Sequence, residues 1–240
     1  MSLNNAYESK DMTCVLGDTL RPGGFELTDK GVEFCSFSEG NKILDIGCGR
    51  GSTVEYLEQK FLLNSFGIDP SKVLLKEGKS KNPKLKIEEG IGEDIPFENE
   101  SMDGVFAECT LSLMEVEKTI KEVYRVLKKQ GFFIITDVYA KNPEYVKLLD
   151  EFSFNSCMRG LHDLEKLKNK LEDLGFKIVL FEDYTDLLKQ LMVKIIFSYG
   201  SMNVFWSKAA SCSTNCLQFQ EVLSKCKVGY FLLIAKKGIE

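Results

Sequence analysis

The sequence lacks the patterns that mark metal-binding, membrane and secreted proteins. It contains a single histidine and no Cys-x-x-Cys pair. The spacing Cys212-x-x-x-Cys216 without a nearby histidine is poor for zinc, so we expect no metal site. No uninterrupted apolar run approaches the roughly 18 residues that would span a bilayer, and the polar first dozen residues lack the apolar segment of a secretory signal. We therefore expect a cytoplasmic protein with no membrane partner.

The composition is that of an ordinary acidic globular protein. Hydrophobic residues make up 44% of the 240 residues, which is enough for a core and suits a single domain, 1–240, with one elaboration. The net charge of −5 creates no general attraction for nucleic acid. Residues 72–86 hold six lysines and one glutamate without interleaved aromatics, which favours a solvated helix and loop over a nucleic-acid patch. We expect a monomer or a homodimer with no nucleic-acid partner.

The stretch 42–51, with the sequence KILDIGCGRG, organises the rest of the chain. It starts with the short apolar run of a buried strand. The run ends in three glycines at alternate positions: Gly47, Gly49 and Gly51. Ser52 and Thr53 follow as capping residues of a helix. A strand, a glycine turn and a helix N-terminus together predict a site where the backbone comes close to a ligand.

Two acidic residues accompany the glycine turn. Asp45 lies just inside it, where a carboxylate can accept hydrogen bonds from an amine. Residues 65–69 have the pattern of the next strand, which ends in Asp69, 18 residues after Gly51. In a strand–helix–strand unit, an acid at that place can bind both ribose hydroxyls of an adenine nucleoside.

The pattern Asp-x-Gly-x-Gly-x-Gly from Asp45 differs from the G-x-G-x-x-G of nicotinamide enzymes, which disfavours a nicotinamide oxidoreductase. It resembles motif I of the class I S-adenosylmethionine-dependent methyltransferases, nearest to small-molecule enzymes of the ubiquinone/menaquinone and arsenite type. Three further blocks extend the resemblance over about residues 40–140: 92–97, 101–105 and 124–131. The resemblance implies S-adenosyl-L-methionine as the cofactor and a small-molecule methyl acceptor as the substrate.

The fold follows from the alternation of strand and helix patterns together with this resemblance. We expect an α/β chain with a Rossmann-like class I methyltransferase fold: a seven-stranded, mostly parallel sheet flanked by helices, with a helical insertion before the last strand. Residues 1–40 should form an N-terminal arm and a cap helix that begins at Thr28, and residues 41–140 the cofactor-binding core. Residues 183–227 should form an insertion that caps the substrate. The apolar patterns place other elements as follows: strands at 85–89, 102–109, 132–136, 176–182 and 229–235, and a helix at 116–129.

The cofactor contacts of the family map onto eight positions: Asp45, Gly47, Cys48, Gly49, Asp69, Pro70, Gly92 and Glu93. The resemblance implies that the glycine turn approaches the methionine part, with Cys48 used through its backbone. It also implies that Asp45 lies near the amine and that Asp69 binds the ribose. The backbone of Gly92 and the side chain of Glu93 are expected at the adenine, because the acid that family members often carry two residues before Glu93 is Ile91 here.

Two residues are candidates for catalysis. Glu108 follows the fourth strand and could act as a general base or orient the acceptor; the alternative is a strand-end acid that contacts solvent or Arg125. Cys157 is expected to border the acceptor pocket. The single histidine, His162, is expected at the surface, at the start of a helix.

The cysteines allow two interpretations. In a Rossmann-like chain without Cys-x-x-Cys, eight dispersed cysteines favour free thiols over disulfides. The stretches 108–113 and 156–161, which contain Cys109 and Cys157, resemble arsenite methyltransferases. In those enzymes, a cysteine before the helix that precedes the sixth strand helps to bind trivalent arsenic. That resemblance also implies a C-terminal thiol and an N-terminal thiol, with these candidates: Cys212 or Cys216, and Cys14 or Cys35. An organic acceptor, a thiol-bound metalloid and a non-catalytic S-adenosylmethionine-binding module all remain open.

Overall fold

The computed structural model describes residues 6–8, 17–19, 21–152, 156–209 and 216–239. Within these stretches, seven strands form one sheet in the order β3-β2-β1-β4-β5-β7-β6. The strands are β1 Lys42–Ile46, β2 Asn64–Asp69, β3 Ile87–Glu89, β4 Met102–Glu108, β5 Leu127–Ala140, β6 Phe176–Asp183 and β7 Val228–Lys237. Strand β7 runs antiparallel to both of its neighbours, and the remaining pairs are parallel. The predicted seven-stranded, mostly parallel sheet is confirmed.

Helices cover both faces of the sheet. They are α1 Glu26–Cys35, α2 Ser52–Phe61, α3 Lys72–Lys81, α4 Val116–Val126, α5 Leu164–Asp173, α6 Thr185–Tyr199, α7 Met202–Ala209 and α8 Cys216–Cys226. The last three fill most of the stretch 183–227 between β6 and β7, where the sequence predicts a helical insertion. The lysine-rich segment forms α3 and the turn that follows it.

The alternation of side chains along the strands builds two separate apolar layers. Ile43 and Phe106 belong to one layer, together with side chains of α1, α6, α7 and α8. Leu44 and Val105, one position along each strand, belong to the other layer, together with α4 and α5. The insertion helices therefore pack on the same face of the sheet as the N-terminal helix α1.

The strand order reverses at β1, which lies between β2 and β4. In the parallel register, Asp45 is opposite both Gly67 of β2 and Phe106 of β4. The connections from these strands leave the sheet at their carboxyl ends on opposite sides of β1, so a crevice opens there. The glycine turn begins at this crevice, which positions it for binding.

Several predicted boundaries are wrong by a few residues because backbone conformation overrides local propensity. Helix α2 is capped by Gly51 at φ +79°, not by Ser52 or Thr53. Helix α1 begins at Glu26, before Thr28. Helix α4 ends at Val126, where the chain turns directly into β5 and pairs with β4.

Across the described stretches, no helix combines the length and the apolar character that a bilayer crossing requires.

Candidate active site

A cavity of about 290 Å³ opens at the carboxyl ends of β1, β2 and β4. Glu108 and side chains of the N-terminal arm, including Tyr7 and Arg21, line part of it. The cavity also brings together all eight positions that the sequence singles out for the cofactor: Asp45, Gly47, Cys48, Gly49, Asp69, Pro70, Gly92 and Glu93. Residues from three separate regions of the sequence therefore meet around one space.

The glycine turn is held close to the end of β4. Gly47 has φ +80°, and a Cβ atom there would lie 2.6 Å from Cγ2 of Thr110. The Thr110 hydroxyl donates a hydrogen bond of 2.8 Å to the carbonyl oxygen of Ile46. Any side chain at position 47 would therefore force these two strand ends apart, which explains the glycine physically.

Asp69 fastens the end of β2 to the glycine turn. Its Oδ2 accepts a hydrogen bond of 2.9 Å from the backbone N–H of Gly49, and its Oδ1 accepts one of 2.8 Å from the backbone N–H of Ser71. The residue is only 7% exposed. Burial raises the pKa of this carboxyl, and the two backbone hydrogen bonds oppose that rise. Each carboxylate oxygen has a second lone pair, so Asp69 can also accept hydrogen bonds from a ligand.

Asp45 is the most strongly perturbed carboxyl of the cavity. It is 4% exposed, and no donor in the described part of the chain is hydrogen-bonded to its side chain. Burial raises its pKa to about 8, the nearby Glu108 carboxylate adds to the rise, and the Arg21 guanidinium opposes it. A cationic ligand group in the cavity would stabilise the ionised form of Asp45.

Glu108 is bound on several sides and does not contact Arg125. Its Oε2 lies 2.9 Å from a guanidinium nitrogen of Arg21, in an ion pair with both side chains almost fully buried. The hydroxyls of Thr28 and Thr53 donate hydrogen bonds to the same carboxylate at 2.8 and 3.1 Å. Arg125 instead pairs with Glu122 at 2.6 Å. The predicted alternative of a strand-end acid beside Arg125 or solvent is therefore wrong.

Glu93 lies at the side of the cavity formed by the loop after β3. Its Oε1 accepts a hydrogen bond of 2.7 Å from the backbone N–H of Glu115, at the start of α4. Gly92 lies so close to Met114 that a Cβ atom would come within 2.6 Å of the sulfur. Ile91, where the family often has an acid, also lines the cavity.

Cys109 and Cys157 form a pair of thiols next to the cavity. Their sulfur atoms are 3.6 Å apart, and both residues are buried. Cys109 borders the cavity, whereas Cys157 borders a smaller neighbouring space. The Tyr7 hydroxyl accepts a hydrogen bond of 3.0 Å from the backbone N–H of Cys157. The thiol hydrogen bond and burial together raise the pKa of Cys109 well above its ordinary value, so this thiol is protonated at neutral pH.

The other thiols do not complete a cluster. Among the described residues, no group of three or more cysteine, histidine or acidic side chains is arranged to hold a metal ion. Cys35 is buried in α1, and Cys216 begins α8. Cys14 and Cys212 lie outside the described residues. The six cysteines of the described stretches form no disulfide with one another.

The prediction that His162 lies at the surface is wrong. The residue is 6% exposed, and its Nε2 lies 3.2 Å from Oδ2 of Asp137, a buried residue of β5. Its backbone bonds to Val138 and Ala140, so it extends the sheet locally and precedes the α5 helix, which Asp163 caps. Its partner Asp137 also accepts two hydrogen bonds from Ser112, after β4. His162 therefore has a structural role, as the buried partner of Asp137.

The part of the chain that forms the cavity is similar in sequence to known proteins. Residues 44–135, which include β1, β2 and the loops around the cavity, match the model of a methyltransferase domain. This stretch has the sequence of a methyltransferase domain. The match agrees with the resemblance that motif I and its three accompanying blocks carry.

Relatives of this methyltransferase domain differ in length. Phosphoethanolamine N-methyltransferase 1 of Arabidopsis thaliana is 30% identical over 179 residues, which are 71% of this chain and 35% of the relative. A ubiquinone/menaquinone biosynthesis C-methyltransferase of Campylobacter jejuni is 27% identical over 183 residues, 70% of this chain and 78% of the relative. The chain thus spans about a third of the length of the plant relative.

The overall fold is that of a solved methyltransferase. Phosphoethanolamine N-methyltransferase 2 of Haemonchus contortus, in complex with S-adenosyl-L-methionine, has a TM-score of 0.75 and 19% identity. The likeness covers 95% of this chain and 56% of that one. It extends beyond residues 44–135 and confirms the class I methyltransferase fold over nearly the whole chain.

The raised pKa of Asp45 gives a testable dependence of stability on pH. Folding raises the pKa of this acid from 3.8 to about 8, so the folded state binds the proton more tightly. The corresponding stability is fully present below about pH 4 and is lost as the pH rises towards 8. We expect Asp45→Asn, which mimics the protonated acid, to lose less unfolding free energy than the wild type between pH 5 and pH 8, as measured by urea denaturation.

The exposed aspartate Asp173, at the end of α5, provides the matched control. Asp173→Asn should keep the wild-type pH dependence. Equal slopes of stability against pH for the wild type and Asp45→Asn would contradict the buried, protonated state of Asp45.

Proposed function

We propose that this chain is an S-adenosylmethionine-dependent methyltransferase that acts on a small molecule. The observation that carries the proposal is the convergence of the eight predicted residues on one cavity at the switch point of the sheet. Two of the acidic residues that line the cavity, Asp45 and Asp69, lie at the carboxyl ends of β1 and β2, next to the glycine turn. This arrangement matches a ligand with a cationic amino acid part and a ribose.

Each residue has a proposed role in holding the cofactor. Asp69 accepts hydrogen bonds from the ribose hydroxyls, as charge-assisted bonds of roughly 1.5–3 kcal/mol each. Asp45 pairs with the ammonium group of the methionine part. The positive φ of Gly47 and Gly49 lets the turn approach the same part closely. The backbone of Gly92 and the side chain of Glu93 face the adenine.

When bound, S-adenosylmethionine supplies a methyl group that its sulfonium already activates for transfer. The residues of the chain then need to position the acceptor in line and exclude water, and positioning alone can contribute several kcal/mol. Glu108 is already bound by Arg21, Thr28 and Thr53. We assign it the role of a positioning residue that fixes α1 and α2 beside the cavity, and not that of a general base.

The acceptor approaches past Cys109, on the side of the cavity that also carries Tyr7 and Glu108. Because the pKa values of Cys109 and Tyr7 are raised, neither group removes a proton at neutral pH. The acceptor atom must therefore be nucleophilic without help from these groups.

A methyl-transfer assay separates this proposal from a module that binds the cofactor without catalysis. The chain is incubated with S-adenosylmethionine carrying a labelled methyl group and with a panel of small-molecule acceptors that includes phosphoethanolamine and a quinol. We expect S-adenosylhomocysteine to form together with a labelled product from at least one acceptor. Binding of the cofactor without any turnover would favour the non-catalytic module.

The same assay with arsenite and a thiol reductant tests the metalloid alternative. Two converging thiols are present, but the described residues supply no third ligand, and thiophilic centres prefer several sulfurs. We expect no methylated arsenic. Its formation, and its loss in Cys157→Ser, would show that the acceptor is a thiol-bound metalloid.

A further inference from the structure

Two more cavities adjoin the one that contains the cofactor residues, and together the three form a row. The inner cavity, of about 50 Å³, shares Tyr7 and Cys109 with the cofactor cavity. The outer cavity, of about 440 Å³, lies between the insertion helices and the start of β7. It shares five lining side chains with the inner cavity: Met158, Leu188, Met192, Met202 and Trp206.

The inner cavity is apolar. Its lining in the described part of the chain contains no lysine, arginine, histidine, aspartate or glutamate, and its largest contributions come from α6 and α7. Leu188 and Trp206 are almost completely buried in its wall, at 2% and 4% exposure. A charged group placed there would lose its hydration without gaining a partner, which is costly. Only the apolar part of a ligand suits this space.

The wall between the inner and outer cavities is adaptable. Three of the five shared side chains are methionines, from the loop before α5, from α6 and from α7. Methionine is unbranched and changes its rotamer easily, so surfaces rich in it adjust to ligands of irregular shape. A small movement of Met158, Met192 or Met202 would join the two cavities into one channel.

The outer cavity is lined by cations. Lys141, Lys189 and Lys227 contribute to it, whereas its described lining contains no acidic side chain. Lys141 and Lys189 have carboxylates within 3.5 and 2.8 Å, on Asp183 and Asp186. Lys227 has no ion pair with any described residue. The far end of the row therefore favours an anionic group.

We propose that the methyl acceptor is an elongated amphiphile with an apolar body and an anionic end. The atom to be methylated lies at Cys109, the apolar body passes through the inner cavity into the outer cavity, and the anionic end lies beside Lys227. This inference rests on the proposed methyltransferase function, because the reacting atom is placed at Cys109 only if the adjoining cavity binds the methyl donor. It assigns the insertion helices α6, α7 and α8 the role of selecting the acceptor.

Trp206 gives a direct signal of occupancy, since it is the single tryptophan of the chain and lines both cavities. We would titrate the full chain with dodecyl phosphate below its micelle concentration and, separately, with dodecanol, in the absence of cofactor. Trp206 fluorescence should change saturably with both ligands. Omitting the cofactor keeps this test independent of the proposed activity, which the methyl-transfer assay decides.

Charge variants test the orientation of the amphiphile. Lys227→Met should weaken dodecyl phosphate binding by about two- to fivefold, the range of an exposed charge pair, and leave dodecanol binding unchanged. Lys194→Met is the matched control, because Lys194 is exposed on α6 but lies outside the cavity lining. It should leave both affinities unchanged. Equal weakening by the two variants would overturn the assignment of the anionic end.

A second variant tests the channel itself. Met202 is half-buried and is the first residue of α7, where an acidic side chain is favourable for the helix dipole, so Met202→Glu should still fold. The charge at the junction should weaken both ligands by roughly tenfold or more. No saturable fluorescence change in the wild type, or unchanged binding of both ligands to Met202→Glu, would overturn the proposal.

Discussion

Asp69→Ala is expected to weaken S-adenosylmethionine binding by about 10- to 100-fold, the equivalent of losing one or two charge-assisted hydrogen bonds. The same carboxylate also holds the N–H groups of Gly49 and Ser71. Its removal therefore loosens the glycine turn as well as the proposed ribose contact. Calorimetric titration of the wild type and the variant with the cofactor measures the effect.

Two controls separate these contributions. Asp69→Asn keeps one carbonyl oxygen for a backbone N–H but removes the charge, so it should bind with intermediate affinity. Asp173→Ala removes an exposed aspartate of α5 far along the chain and should bind as the wild type does. Unchanged affinity in Asp69→Ala would remove the ribose role from this residue.

Arg21→Met is expected to lower the free energy of unfolding by about 3–5 kcal/mol, the usual cost of leaving a buried charge without its partner. The Arg21 and Glu108 side chains are 5% and 2% exposed and lie 2.9 Å apart. Arg21 also donates hydrogen bonds to the hydroxyls of Thr28 and Thr53. Its loss would leave the Glu108 carboxylate uncompensated beside Asp45. Urea denaturation at neutral pH measures the change.

A double-mutant cycle identifies the charge as the cause. Glu108→Gln should be less harmful, because the amide keeps an acceptor for the threonine hydroxyls and for Arg21. The double variant Arg21→Met with Glu108→Gln should regain roughly 1–3 kcal/mol relative to Arg21→Met, since no buried charge remains unpaired. Additive effects of the two substitutions would show that Arg21 stabilises the fold only through packing.

The strands, the sheet and the cofactor cavity were predictable because their signals are local. Each strand has its own apolar run, and the spacing from Gly51 to Asp69 follows from the length of one helix and one strand. The sequence therefore predicts which strand ends carry polar groups. The parallel sheet then brings those ends to the same edge, where the structure places Asp45 and Asp69 on one cavity.

Contacts between distant segments were not predictable in the same way. Arg21 meets Glu108 across 87 positions of the sequence, from a segment without periodicity, so no local pattern announces the pair. Tyr7 also lines the cavity, and its position could not be predicted for the same reason. The error at His162 had an available signal: Asp137 lies within the apolar run of β5, and a buried carboxylate needs a partner.

The insertion 183–227 was predictable only in part. Its helical period predicts α6, and its length indicates that it packs over another part of the domain. Which face of the sheet it covers depends on packing that only the structure describes, where α6 and α7 lie beside Cys109 and Cys157. The convergence of those two thiols is likewise a tertiary feature, since β4 and the loop before α5 are 48 residues apart.

The proposed cofactor site is tested most directly by a calorimetric titration of the full chain with S-adenosylmethionine, repeated with a nicotinamide dinucleotide. We expect saturable binding of S-adenosylmethionine at one site per chain and no binding of the dinucleotide. A folded chain that binds the dinucleotide, or that shows no saturable binding of S-adenosylmethionine, would contradict the proposed site.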